Sequence, residues 1–188
     1  YYSNSDVRIV DLPKPAIGVG ECLVKVRASG ICGSDVMEWY RIRKAPLVLG
    51  HEVAGTVAEV GAGVTAWKVG DRVAVTHHVP CNTCPACLGG HHTACDTLRR
   101  TNFDPGGLAE YVRVPAINVD RGVFLLPDEV TFEEATFGGA GAFVLGAVLN
   151  EFFARYVSLN SFTETVLRTM ERGEVGRWPA QLGRRPLL

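Results

Sequence analysis

Four cysteines fall within fifteen positions, as Cys81-x-x-Cys84-x-x-Cys87 followed after seven residues by Cys95. Spacing this tight favours a bound metal over a disulfide framework. Zinc takes four thiolates at about 2.3 Å in a tetrahedron, and short loops between cysteines let one segment wrap the ion. With all four positions filled by protein, such a site is closed to substrate and serves structure. A disulfide pair, an iron–sulfur cluster or plain reduced thiols are the alternatives. The spacing differs from the bacterial ferredoxin run, which has Pro directly after its last Cys. His91 and His92 lie in the same loop as competing ligands or solvated side chains.

The surrounding text reads as β structure. Cys22 to Ala28 largely alternates apolar and polar residues, the pattern of a half-buried strand. Val53 to Val60, Arg72 to Val75 and Ala109 to Val114 are further β-prone runs, each bounded by Gly or Pro turns. Short strands punctuated this way predict a barrel or a folded sheet rather than repeating βαβ units. Cys22, placed within a strand, is expected to be a buried thiol without chemistry. Nearly half of the 188 residues are hydrophobic, enough for one ordinary domain or a domain with an appendage. The formal net charge of −1 gives no electrostatic reason to expect nucleic acid or an anionic membrane as partner. No apolar run approaches the roughly 20 residues that span a bilayer, and no signal core opens the chain. The expectation is a soluble cytoplasmic protein, with a natural start lost or trimmed ahead of Tyr1.

A second chemical centre is written in Gly30-Ile31-Cys32-Gly33-Ser34-Asp35 and Gly50-His51-Glu52. A thiolate, an imidazole and a carboxylate from separate loops can hold zinc and leave one position open for an alcohol or carbonyl oxygen. Each alone is bland: a packed cysteine, a surface His-Glu, a turn serine. Together they extend into Gly50-His51-Glu52-x-x-Gly55, then Gly61 and Val64. This resembles the motif of the zinc-containing medium-chain alcohol dehydrogenases. Gly70-Asp71-Arg72-Val73, the four-cysteine lobe, Gly107-Leu108-Ala109-Glu110-Tyr111 and Leu126-Pro127-Asp128 follow in that family's order.

The resemblance covers about residues 1–137 and looks closest to the sorbitol and threonine dehydrogenase branch. It implies a mainly β fold, a GroES-like β-barrel bearing a zinc-binding cysteine lobe. Cys81, Cys84, Cys87 and Cys95 would hold a structural zinc. Cys32 and His51 would hold a catalytic zinc, with Glu52 as ligand or near neighbour. Ser34 matches the hydroxyl that relays the substrate proton. Family members oxidise a small alcohol or polyol by passing hydride to NAD or NADP.

The likeness stops near residue 137. Where the polyol branch continues with a Glu-Pro pair beside the zinc, this chain has Gly138-Gly139-Ala140. No strand–Gly-rich turn–helix unit of the dinucleotide-binding kind follows, so no Rossmann domain is expected and the chain alone is expected to be inactive. Residues 138–142 read as a small-residue seam. Phe143, Val144, Ala147, Val148, Phe152 and Tyr156 recur at helical spacing and predict a helix over 143–157, with a short strand over 161–170. The stretch from Phe143 through Arg172-Gly173-Glu174 and Arg177-Trp178-Pro179 to Arg184-Arg185-Pro186-Leu187-Leu188 resembles the end of the type VI secretion baseplate protein TssF. That likeness makes 143–188 a tail of different origin, a route to a baseplate-like partner or a homo-oligomer. It also raises a non-catalytic, zinc-stapled scaffold or a chance fusion as the alternative to an enzyme.

Overall fold

The computed structural model describes residues 1–137. The helix, the short strand and the seam expected beyond them lie outside the described residues. Five strands form one antiparallel sheet in the order β4-β1-β2-β3-β5: β1 Cys22–Gly30, β2 Glu52–Val60, β3 Arg72–Thr76, β4 Tyr111–Val114 and β5 Val123–Leu125. Every pairing is antiparallel, so the expectation of a sheet built without βαβ units holds among the described residues.

The first three strands fall within two residues of the sequence expectation. β4 opens at Tyr111 rather than Ala109 because the chain before it is already tied elsewhere. Gly107 and Leu108 donate backbone N–H bonds to the carbonyls of Gly50 and Leu49, each at 2.8 Å. β5 escaped the sequence reading: three residues with Phe124 and Leu125 exposed show no period. Four short helices also escaped it, α1 Glu38–Arg41, α2 Pro85–Leu88, α3 Asp96–Arg100 and α4 Ala116–Arg121. None completes two turns, so none can display a helical apolar stripe.

The sheet's period-2 alternation sorts its buried residues by size. Val53, Val57, Val73, Val75, Val112 and Val114 pack with Cys22, Val24, Phe103, Val119 and Val123 in one cluster. Ala54 and Ala74, cross-strand partners, form a second cluster with Ala135, against which Leu126, Val130 and Phe132 pack. Burying each of these valines contributes about 1.5–3 kcal/mol relative to leaving it in water. Arg72 helps close the second cluster. Its guanidinium donates to the carbonyls of Pro127 and Val130 and lies 4.8 Å from the Phe132 ring centroid.

One motif glycine has a steric reason here. A Cβ on Gly55 would collide with the Lys25 carbonyl of β1, so close pairing of β1 and β2 requires its absence. Among the described residues, no helix is long and apolar enough to cross a membrane.

Candidate metal centres

The cysteine lobe is built locally. Cys84 caps α2, its sulfur accepting the Cys87 N–H at 3.5 Å, and Pro85 takes the first helical turn, where its missing N–H costs nothing. The sulfur of Cys81 accepts the Cys84 N–H at 3.3 Å, and that of Cys95 accepts the Cys81 N–H at 3.4 Å. These donors turn the sulfurs inward. All four ligand atoms lie within 4.8 Å of one another.

The spacing of the sulfurs discriminates between chemistries. Cys84 and Cys87 are 3.5 Å apart, Cys81 and Cys95 3.6 Å, and Cys81 and Cys87 3.9 Å. A tetrahedron with zinc–sulfur bonds of about 2.3 Å has edges of about 3.8 Å, whereas a disulfide brings sulfurs to about 2.0 Å. All six cysteines are free thiols. The donor set therefore fits a four-thiolate zinc.

Electrostatics point the same way. The Thr83 backbone N–H, then the Thr83 hydroxyl and the Cys84 N–H, pull the Cys81 thiol down to about 5. Burial, then the neighbouring Cys84 sulfur, pushes Cys87 up to about 12. Four thiols this close cannot all ionise without a cation among them. Arg121 fastens the lobe to α4, its guanidinium bonding the carbonyls of Pro80 and Cys81. His91 and His92 fall outside the four-sulfur group.

The second centre is assembled by the register of the sheet. Gly30 at the end of β1 pairs with Glu52 at the start of β2. Cys32, two residues beyond β1, thus meets His51 and Glu52 at one sheet end. The sulfur, an imidazole nitrogen and a carboxylate oxygen lie within 4.8 Å of one another. Gly50, just before His51, has φ +92°, and a Cβ there would sit 2.5 Å from the Leu108 nitrogen, so glycine lets the Gly107–Leu108 backbone pack against this turn. Among the described residues these are the two clusters of metal-ligating donors.

Asp35 is the residue that sequence reading passed over. It is 2 % exposed and turned wholly into local bonds. Its carboxylate accepts the Cys32 N–H at 3.0 Å and the Arg41 guanidinium at 3.0 Å, and lies 3.5 Å from His51 Nδ1. A carboxylate beside Nδ1 favours the tautomer with its proton there, which would leave Nε2 available to a metal. Arg41 also donates to the carbonyl of Ser34 at 2.9 Å and to its hydroxyl at 3.1 Å. Asp35 stood within the motif, yet only the folded turn shows that it faces inward. His77 was missed as well. Its ring centroid is 4.7 Å from that of His51, and burial, then His78 and His51, holds it down to about 3. Cys22, by contrast, behaves as expected: it is 1 % exposed, and burial pushes its thiol up to about 11.

Residues 18–128, more than half of the chain, match the family described as the alcohol dehydrogenase GroES-like domain. The chain belongs to this alcohol dehydrogenase family. An L-threonine 3-dehydrogenase of Pyrococcus abyssi is 41% identical over 148 residues, 75% of this chain and 42% of that protein. A sorbitol dehydrogenase of Bacillus subtilis is 38% identical over 143 residues, 71% of this chain and 39% of the relative. The structure of galactitol-1-phosphate dehydrogenase from Escherichia coli superposes with a TM-score of 0.56 at 37% identity, over 69% of this chain and 38% of that one. This alcohol dehydrogenase relative thus spans about two fifths of the length of the curated proteins it matches. A second family, described as type VI secretion system TssF, matches residues 118–185, overlapping the first over 118–128. In that overlap the structure has α4 and β5, both part of the sheet domain.

Proposed function

We propose that the chain carries the zinc-holding catalytic part of a dehydrogenase for a secondary alcohol or polyol. Its sheet would form the wall of a GroES-like barrel, and a structural zinc would occupy the cysteine lobe. The observation that carries this reading is the gathering of Cys32, His51 and Glu52 within 4.8 Å at one sheet end. Three protein donors of mixed type leave a coordination position open, the arrangement of a catalytic rather than a structural site. Zinc held there supplies Lewis acidity toward an alcohol or carbonyl oxygen.

The chain's own residues do the rest. Cys32 and Glu52 would offset the charge of an ion held there, and His51 would complete the set. Asp35 orients the His51 ring, and Arg41 ties Asp35 to Ser34. The Ser34 hydroxyl, two residues from Cys32, would relay the proton that leaves the alcohol, accepting it while passing its own proton on to solvent. NAD or NADP, the nucleotide that the family resemblance implies, would be the hydride acceptor. A dinucleotide needs the crevice of a parallel sheet, and every strand pairing among the described residues is antiparallel. Residues 1–137 by themselves are therefore expected to bind zinc and to leave polyols unoxidised with either nucleotide.

Native mass spectrometry tests the metal assignment directly. The expected result is two zinc ions per chain, one per donor cluster, falling to one in Cys32→Ser. A wild-type chain that holds one ion, unaffected by Cys32→Ser, would sink the reading. A second reading has one observation behind it, the TssF match to residues 118–185. On that reading the zinc-stapled domain is a scaffold, and 143–188 docks a baseplate-like partner. It requires the full chain, but not a chain ending at 142, to bind a purified type VI baseplate complex.

A further inference from the structure

His51 is a motif residue, but little in the motif holds its ring. Asp35 approaches one nitrogen, and at 3.5 Å the contact is loose. That contact acts at the edge of the imidazole and leaves the faces of the ring to be set by packing. The faces of that ring need a wall, and the wall comes from a different part of the chain.

We propose that His77 is a positioning residue for the Cys–His–Glu centre, bracing the His51 imidazole through its ring, with Asn118 setting His77 in place. This rests on the functional reading above, in which His51 is a ligand. The His77 ring lies against His51 at a centroid separation of 4.7 Å and a tilt of 53°. On its other sides His77 meets the His78 ring at 4.0 Å and the edge of Phe103 at 6.2 Å. Phe103 is 4 % exposed and belongs to the valine cluster, so this backing is part of the sheet domain's core.

The main chain at His77 is fixed just as firmly. Asn118, fully buried in α4, donates its amide to the carbonyls of Thr76 at 2.9 Å and His77 at 3.0 Å. The Thr76 N–H donates to the Gly122 carbonyl at 2.8 Å. Two residues beyond His77, the Val79 N–H donates to the Thr101 hydroxyl at 3.0 Å. A segment bonded on both sides of His77 presents the ring at one height and angle. Asn118 lies more than sixty positions from His51 in sequence and outside the ligand motif. The brace therefore couples α4 to the candidate centre through four successive groups: the Asn118 amide, the His77 carbonyl, the His77 ring and the His51 ring.

Outer-shell partners of metal ligands typically carry a 10- to 100-fold effect on metal affinity. Cobalt(II) titrations of the full chain, read at the visible bands of the Cys32 centre against a competing chelator, measure that effect. His77→Leu fills the space without a flat ring or a donor and is expected to weaken the second ion roughly 10- to 100-fold. His77→Phe, which restores the flat ring, is expected to recover most of the loss. Bands of the four-thiolate lobe in the same spectra report that each variant has folded.

A second measurement separates the brace from the functional reading. In a Cys32→Ser background His51 carries no metal, and imidazole nitrogen–proton spectra of the five histidines show whether its ring is fixed. One tautomer is expected, averaging once His77→Leu is added. If wild-type chain takes a single ion that Cys32→Ser leaves in place, the functional reading fails while these spectra still decide the brace. His77→Leu with wild-type cobalt affinity and an unmoved His51 signal would overturn the proposal.

Discussion

The two candidate metal centres gather their ligands in opposite ways. The cysteine lobe draws four sulfurs from fifteen consecutive positions, oriented by N–H donors within the same loop. The Cys–His–Glu centre draws on residues some twenty positions apart and relies on the β1–β2 register to bring them together. Closing a short loop costs little entropy, so the lobe needs only its ion to form. The other centre needs the sheet. On the proposed assignment the lobe's structure would depend on metal, and the second centre's metal would depend on structure.

The harshest way to break this contrast is at the lobe. Its only regular elements are helices of three to five residues, which do not hold themselves together in water. Metal binding there is folding energy. Cys95→Ser is expected to release one ion and to lower the melting midpoint by roughly 10 °C or more, a loss of a few kcal/mol. Calorimetry with parallel zinc analysis checks both. A variant that loses the ion but melts as wild type would show that the lobe stands without metal.

Next in size is a substitution that touches no ligand. Gly55→Ala drives a methyl into the Lys25 carbonyl and forces β1 and β2 apart. Strain of this kind costs about 1–3 kcal/mol. Because Gly30 and Glu52 share that strand pair, the cobalt spectrum of the second centre should change while that of the lobe stays constant. Equal disturbance of both spectra would erase the distinction between a register-built and a loop-built site.

How far each centre could be read from sequence follows the same division. The gathering of the four lobe cysteines was legible because spacing alone brings neighbouring cysteines together. Cys32, His51 and Glu52 were legible only through a longer motif, since nothing local says that residue 32 meets residue 51. The valine strands showed themselves by alternation. β5 and the helices over 38–41, 85–88, 96–100 and 116–121 did not, because elements of three to six residues are shorter than the period that would reveal them. Asp35 and His77 were hidden for another reason. Their importance lies in which way the side chain turns, and that is set by Arg41, Asn118 and Phe103, residues distant in sequence or unremarkable in type.

Asp35→Asn sharpens the comparison within the second centre. It keeps the side chain's shape and removes the charge that faces His51 and Arg41. The expected outcome is a 10- to 100-fold weaker second ion with the lobe's ion untouched, read by chelator competition. Stability should also fall, by about 1–3 kcal/mol, because the Arg41 guanidinium loses a buried ionic partner. If affinity is unchanged, Asp35 serves the turn around Cys32 and not the imidazole.

The smallest effect should come from the sixth cysteine, Cys22, which tests whether thiols outside the two clusters carry any chemistry. It sits in β1 among valines, 1 % exposed, with burial raising its thiol from 9.0 to about 11. A raised value means that the folded chain holds the proton more tightly than the unfolded one. The associated stability is therefore complete below pH 9 and is lost as pH climbs through about 11. Cys22→Val is close to volume-conserving and suits a strand, so near pH 7 it should shift stability by less than about 1.5 kcal/mol and leave both ions bound. Between pH 9 and 11 the gap to wild type should move in the variant's favour, because valine has no proton to lose. Denaturant melts at pH 7 and across that alkaline window measure the difference directly. Loss of a metal ion in Cys22→Val would mean that the sixth thiol belongs to one of the centres, and the division between coordinating and packing cysteines would have to be redrawn.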